Sequence, residues 1–124
     1  MILYIDTHIR GKVNFGLLKS DKVECYQASG RTDILLSEMN KQLPQKWIDK
    51  IKAIAIINGP GPFSAIRGGV LVSNLLARSL NIPLYTFSVS EFNAQNSLFK
   101  IQNKEIKPVV YASPIYDAEP NITC

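Results

Sequence analysis

The stretch that decides the fold is residues 53–87, which read AIAIINGPGPFSAIRGGVLVSNLLARSLNIPLYTF. Its first five residues are apolar without alternation, as in a strand covered on both faces. The next five contain two prolines, which end the strand because proline lacks an N–H donor and fixes φ. Residues 63–80 contain no proline and fit a helix, which Asn81 and Pro83 end before a second apolar strand at 84–87. This order predicts two parallel strands joined by a right-handed crossover.

Three strands are expected before this unit. Residues 1–5 form an apolar run, which predicts a buried central strand. Residues 13–17 alternate between apolar and polar or small, and after a turn Val23, Cys25 and Gln27 continue the alternation. The short connections between these segments predict an antiparallel meander.

After the meander, apolar residues recur at the spacing of a helix. Ile34, Leu35, Met39 and Leu43 fall on one face of a helix, which Pro44 ends.

The remaining segments predict two further helices and a last strand. A short helix over 45–52 leads into the strand at 53–57. Residues 89–91 are expected to start another helix, with Ser90 as its N-cap. Residues 109–111 predict a last short strand.

Together these elements predict an α/β fold with a mixed five-stranded sheet. Three antiparallel strands feeding two parallel crossovers give the order 3-2-1-4-5, with strand 2 antiparallel and helices on the faces of the sheet. This is the plan of one half of an actin-like or ribonuclease-H-like fold.

Composition limits the class of protein. With 124 residues and 46% hydrophobic residues, the chain fits one globular domain. It has no apolar run of the roughly 20 residues that a membrane span needs. Its two cysteines, Cys25 and Cys124, do not make a disulfide framework, so we expect a cytoplasmic protein. The net charge of +4 is mild and the basic residues are scattered, so strong direct nucleic-acid binding is not expected.

Several segments resemble the bacterial TsaB (YeaZ) family. Residues 2–7 are similar to the opening strand of that family, an apolar run closing in Asp-Thr. Residues 58–69 resemble its Gly-Pro-Gly-Ser-Phe-Thr-Gly-Leu-Arg-x-Gly segment. Residues 81–84, followed by Ser88 and Glu91, resemble its Asn-Ile-Pro-Leu and Val-Ser-Ser-Leu-Glu segments in the same register.

The resemblance covers residues 1–112 and implies an N-terminal actin-like domain, with residues 113–124 a short tail in place of the family's second domain. It also implies a non-catalytic subunit in the synthesis of N6-threonylcarbamoyladenosine (t6A) in tRNA. The implied partners are a TsaD-type catalytic subunit and a TsaE-type ATPase, with a homodimer when the chain is alone and no cofactor. Two departures in the predicted main helix are Asn74 and Leu75, where Lys-Gly is usual.

The residues of the family's motif loop in this chain are Gly59, Pro60, Gly61, Phe63 and Arg67. A glycine loop opening a helix can cradle a phosphate. Here two prolines remove N–H groups that such a cradle needs, and no P-loop Lys follows. A tight turn that lets strand and helix pack closely is the favoured interpretation.

The alternative function is a minimal actin-like nucleotide-binding protein that uses Asp6 and the Gly59–Phe63 loop. Asp6 occupies the place of a metal-linked carboxylate in actin-like kinases, but no second carboxylate follows a strand. His8 is the only histidine, so a zinc site or hydrolase dyad lacks partners. We therefore predict no catalytic residue and no metal ligand.

The predicted partner interface lies on two helices. The main helix is apolar nearly all round, which one sheet face does not satisfy. We expect Gly69 to pack on the sheet and Gly68 to face outward or toward the partner. The interface residues predicted from this pattern are Leu36, Met39, Leu71, Val72, Leu75, Leu76 and Arg78.

Overall fold

Five strands form one mixed sheet in this computed structural model, which describes residues 1–116. The strand order is β3-β2-β1-β4-β5, so the predicted order is confirmed. β2 is antiparallel to β1 and to β3, whereas β4 is parallel to β1 and to β5. The strands are β1 (Ile2–Asp6), β2 (Lys12–Leu18), β3 (Val23–Ser29), β4 (Ala53–Ile57) and β5 (Leu84–Phe87).

Helices cover both faces of the sheet. Three of them pack with one face around a large apolar core, and the fourth packs on the other face around a smaller one. They are α1 (Leu35–Gln42), α2 (Trp47–Lys50) and α3 (Phe63–Leu80) on the first face, and α4 (Ala94–Gln102) on the second. A 3₁₀ helix, Thr32–Ile34, leads into α1.

The central helix α3 rests on the sheet through the predicted stripe. Ile66, Val70 and Ala77 are buried, as their spacing along one helical face requires. The helix ends where Asn81 adopts a left-handed conformation with φ 55°, and Ile82 donates from its backbone N–H to the carbonyl of Ala77 at 3.0 Å. This is the hydrogen-bond pattern of a Schellman end.

The alternating residues Cys25 and Gln27 are not the ones that β3 turns toward the core. Tyr26 and Ala28 pack against the large core, and Cys25 and Gln27 are exposed. The register explains the difference, because Tyr26 lies opposite Phe15, their rings stack with centroids 5.6 Å apart, and opposite residues share a sheet face.

The start of the last helix also differs from the expectation. Ser88 and Glu91 form a reciprocal capping box: the Ser88 N–H donates to the Glu91 carboxylate at 3.0 Å, and the Glu91 N–H to the Ser88 hydroxyl at 3.3 Å. This capping box starts only a single helical turn. α4 begins three residues later, at Ala94, after Asn93 caps it by accepting from the Asn96 N–H.

Gly69 packs on the sheet side, as predicted, because a Cβ there would overlap the Thr7 side chain at the end of β1. The expectation that Gly68 faces outward or toward a partner is wrong. A Cβ on Gly68 would overlap Thr32, since the 3₁₀ helix lies directly against this part of α3.

The segment 109–116, which we call the strap, replaces the expected last strand. Val109 forms one isolated antiparallel bridge with Leu84, and the chain then leaves the sheet edge. The Ile115 N–H donates to the Asn58 carbonyl at 2.7 Å, and Tyr116 bridges to Gly61. The strap therefore runs from β5 to the loop before α3.

The predicted tail begins within the strap, at residue 113, and its residues 117–124 lie outside the described part of the chain. The domain boundary at residue 112 stays a prediction. Among residues 1–116, no helix combines the length and the apolar character that crossing a membrane requires.

Candidate functional site

The motif loop between β4 and α3 is shaped by close packing. Gly59 has φ +121°, a backbone conformation that residues with a side chain rarely adopt. A Cβ there would overlap the carbonyl of Ile115 in the strap. A Cβ on Gly61 would press on Ile66 and on the backbone of His8. Both glycines thus let the loop pack against neighbouring chain segments.

Phe63 and Arg67 are brought together at the start of α3. The guanidinium of Arg67 lies 5.7 Å from the centroid of the Phe63 ring, within cation–π range. The same ring packs against Tyr116 with centroids 4.5 Å apart. This small aromatic cluster leaves Phe63 half exposed beside the motif loop.

Asp6 is engaged by its neighbour in sequence. Its Oδ1 lies 2.6 Å from Nδ1 of His8 and also accepts from the His8 backbone N–H at 3.1 Å. The next residue, Thr7, donates from its hydroxyl to the carbonyl of Ala65 at 2.7 Å, which ties the end of β1 to the first turn of α3. In residues 1–116, no group of three or more His, Cys, Asp and Glu side chains is arranged to hold a metal ion.

The seven predicted interface residues divide into three groups. Leu71 and Leu75 are each 56% exposed, and Leu36 and Arg78 are exposed as well. The intermediate group, Val72 and Leu76, is half-buried against the large core.

The remaining member, Met39, is fully buried, so its assignment to the interface is wrong. Met39 lies one turn after Leu35 on α1, and both side chains point into the large core.

Sequence reasoning missed an apolar pair beside this surface. Val110 is 97% exposed, Tyr111 is also exposed, and both lie in the strap immediately before Ala112, which is bonded to Asn74 of α3. The signal that was available is Pro108, because a proline next to a short apolar run argues against a paired central strand.

The order of the sheet, the helices on both faces and the Asp-Thr end of β1 beside the motif loop define a class: one half of an actin-like, ribonuclease-H-like α/β fold. A family model described as TsaD: tRNA N6-adenosine threonylcarbamoyltransferase matches residues 33–118, more than half of the chain. The chain therefore belongs to this family.

Two solved structures share the fold. YeaZ from Pseudomonas aeruginosa superposes with a TM-score of 0.61 at 24% identity, over 70% of this chain and 44% of that protein. A second structure, described as an uncharacterized protein with similarity to peptidase YEAZ from Pseudomonas aeruginosa, gives a TM-score of 0.62 at 24% identity, over 70% and 42%. Comparison with curated proteins gives no match.

The resemblance to TsaB (YeaZ) proteins and the fold it implies are thus confirmed. The match extends over less than half the length of each of these two solved proteins.

Proposed function

We propose that this chain is a non-catalytic interaction subunit in t6A synthesis, which docks a TsaD-type catalytic subunit through the outward faces of α1 and α3. The observation that carries the proposal is the pair of exposed leucines, Leu71 and Leu75, in a chain of the TsaD family. They lie one turn apart on the same face of α3. A TsaE-type ATPase is the further proposed partner.

The energetics favour this surface as an interface. A leucine side chain that becomes fully buried contributes about 1.5–3 kcal/mol. Leu36 on α1, which packs next to α3, adds to the apolar area, and Arg78 supplies a charged residue near its edge. Apolar residues at the centre with an Arg at the side are typical of a protein–protein interface.

The packing of the motif loop supports a structural role for its glycines rather than a catalytic one. The space beside Gly59 is filled by Ile115 of the strap, and Pro60 and Pro62 have no N–H to offer. Asp6, the carboxylate at the end of β1, already accepts two contacts from His8.

The second candidate is the nucleotide-binding function that uses Asp6 and the Gly59–Phe63 loop. One observation favours it: α3 starts at Phe63 after Pro62, and no side chain of residues 1–116 caps its first turn. Magnesium-dependent ATP binding that Asp6→Ala abolishes would support this candidate over the first.

The experiment is co-purification of the chain with a TsaD-type subunit from the same source. We expect a stable complex with the native chain and its loss with Leu71→Glu and Leu75→Glu. The matched control is Phe99→Glu, since Phe99 is equally exposed but lies on α4, across the sheet.

Three results would contradict the proposal. They are the absence of a complex with the native chain, an intact complex with both leucine variants, and a complex lost only with Phe99→Glu. Light scattering of the chain alone detects a homodimer: if one forms and Leu75→Glu dissociates it as well as the complex, the two associations use the same surface.

A further inference from the structure

We propose that β3, at the open edge of the sheet, pairs antiparallel with the β3 of a second copy of this chain. β3 pairs with β2 on one side, and on its other side no strand of residues 1–116 lies beside it. The opposite edge differs, because Val109 of the strap already bridges to β5 there. The inferred interface lies outside the outward faces of α1 and α3, so it goes beyond the docking proposed above.

The backbone groups that point to the open side belong to the odd-numbered residues of β3. The Lys19 N–H donates to the Lys22 carbonyl and the Gly30 N–H to the Gly11 carbonyl, both at 2.9 Å, at the two ends of the β2–β3 ladder. Bonded and non-bonded pairs alternate along an antiparallel ladder. Even-numbered residues of β3 therefore bond to β2. The residues whose N–H and C=O groups point outward are Val23, Cys25, Gln27 and Ser29.

This edge has little protection within the described chain. Among residues 1–116, the outward backbone groups have one partner, since the Gln27 carbonyl accepts from the flexible Gln42 side chain at 3.4 Å. All seven residues of β3 pair with β2 without a bulge, and the strand contains no proline, lysine or arginine. Bulges, prolines and positive charges are the usual means by which proteins block pairing at an edge. The edge is therefore open to a further strand.

A second copy is the favoured partner because β3 is complementary to itself in one register. Two antiparallel copies must pair odd residues with odd residues, since these carry the outward groups. Placing Tyr26 opposite Tyr26 of the second copy pairs all seven residues of both strands, with Val23 opposite Ser29 and Cys25 opposite Gln27. Each of these two pairs occurs twice about the two-fold axis and carries two hydrogen bonds.

Tyr26 suits the position on the axis. Its ring is half-buried on the core face of the sheet and stacks on Phe15 with centroids 5.6 Å apart. At a non-hydrogen-bonded pair, opposite side chains come closest, and an aromatic pair at such a position stabilises a sheet. The second tyrosine therefore covers the part of the first that one copy leaves exposed.

Charged residues favour this register over its neighbours. Asp21, in the β2–β3 turn, faces Arg31 of the second copy, so opposite charges meet at both ends of the paired strands. A shift of two residues in one direction brings Asp21 to Asp33 instead, and a shift in the other leaves five residues of each strand paired. A further shift in that second direction places Glu24 opposite Glu24, and like charges directly opposite are destabilising.

The first test is light scattering of the full chain over a range of protein concentrations, in reducing buffer. A proline at position 25 keeps the ladder with β2 but has no N–H for a neighbouring strand. Cys25→Pro should therefore raise the dissociation constant of the dimer by about tenfold or more, whereas the matched control Cys25→Ala should leave it unchanged. Asp21→Arg should weaken the dimer, and adding Arg31→Asp to that variant should restore it.

The second test needs no variant, so it decides the matter if Cys25→Pro does not fold. Hydrogen exchange at the Cys25 and Gln27 amides should slow as the concentration rises, while exchange at Tyr26, which bonds to β2, should not depend on dimer formation. A native chain that stays monomeric would overturn the proposal, as would exchange at Cys25 and Gln27 that is independent of concentration. A dimer that a folded Cys25→Pro leaves intact, or that Leu75→Glu dissociates, would also overturn it. None of these results bears on the complex with a TsaD-type subunit, which is measured separately.

Discussion

The carboxamide of Asn74 in α3 holds the backbone of Ala112 in the strap with two hydrogen bonds. Nδ2 of Asn74 donates to the Ala112 carbonyl at 3.1 Å, and its Oδ1 accepts from the Ala112 N–H at 2.7 Å. A lysine, usual at this position in the family that the chain resembles, has only donors and cannot make both bonds. The departure from the family pattern therefore attaches the strap to the main helix.

The first prediction is that Asn74→Ala detaches the strap. The backbone groups of buried Ala112 would lose their partners, which costs about 1–3 kcal/mol. Urea denaturation should show this loss of stability, and hydrogen exchange should become faster at the Ala112 amide. The control is Asn96→Ala, an exposed asparagine of α4. Unchanged exchange at Ala112 would show that the strap is held by other contacts.

The parts of the fold that the sequence predicts are those with strong local patterns. β4 is a continuous apolar run because it is buried on both faces, and α3 ends at Asn81, where the left-handed conformation suits asparagine. The strap is different. Asn74 and Ala112 are 38 residues apart, so no local spacing reveals their contact.

The sequence patterns of edge strands and of helix N-caps are ambiguous for physical reasons. β3 lies at the edge of the sheet, where one of its faces is exposed and the other is only half-buried, so its alternation does not identify the side that faces the core. Ser88 and Glu91 carry the pattern of a helix start, yet Asn93 is extended, with φ −138°, and interrupts the helix after one turn.

The second prediction compares two neighbouring leucines of α3. Leu75→Glu should leave the free energy of unfolding nearly unchanged, because its side chain is exposed. Leu76→Glu should lower it by about 2 kcal/mol or more, since Leu76 packs against the large core and a carboxylate there loses solvation. Chemical denaturation of the two purified variants measures both effects. A reversed order would mean that α3 is rotated about its axis.

The candidate interface was predictable only in part, because a sequence pattern does not always show which side of a helix is covered. Helical spacing gives the angle between residues, so Leu71 and Leu75 follow from the stripe opposite Ile66. On α1 the pattern does not say which side is covered, and Met39 proved to be core. Pro108 argues against a central strand at residues 109–111, but the exposure of Val110 depends on the path of the strap, which no local pattern gives.

The third prediction concerns pH and the Ser88–Glu91 box. The Ser88 backbone N–H, and then its hydroxyl, hold the pKa of Glu91 below its ordinary value. A lowered pKa in the folded chain stabilises it above the pKa of an unfolded Glu, about 4.3, and this contribution is lost as the pH falls through the folded-state value.

Glu91→Gln should therefore be less stable than the native chain at pH 7, and the difference should shrink in acid. Thermal denaturation followed by circular dichroism, at pH 7 and at an acidic pH, compares the stability of the variant with that of the native chain. Glu105→Gln, at an exposed position without such a box, is the control. A difference that is the same at both pH values would show that the charge of Glu91 has no role.

The last prediction concerns Gly68 and Gly69, which have different neighbours although they are adjacent in α3. Alanine at either position gains about 1 kcal/mol of helix propensity, but each Cβ would overlap a stiff β-branched threonine. Thr7 is buried and hydrogen-bonded to Ala65, so Gly69→Ala should lower the free energy of unfolding by about 1–3 kcal/mol. Thr32 belongs to a short 3₁₀ helix at the surface, which is able to shift, so Gly68→Ala should cost less but displace that helix, visible as amide shifts around Arg31. If Gly68→Ala stabilises the chain and leaves those amides unmoved, the close contact between α3 and the 3₁₀ helix is wrong.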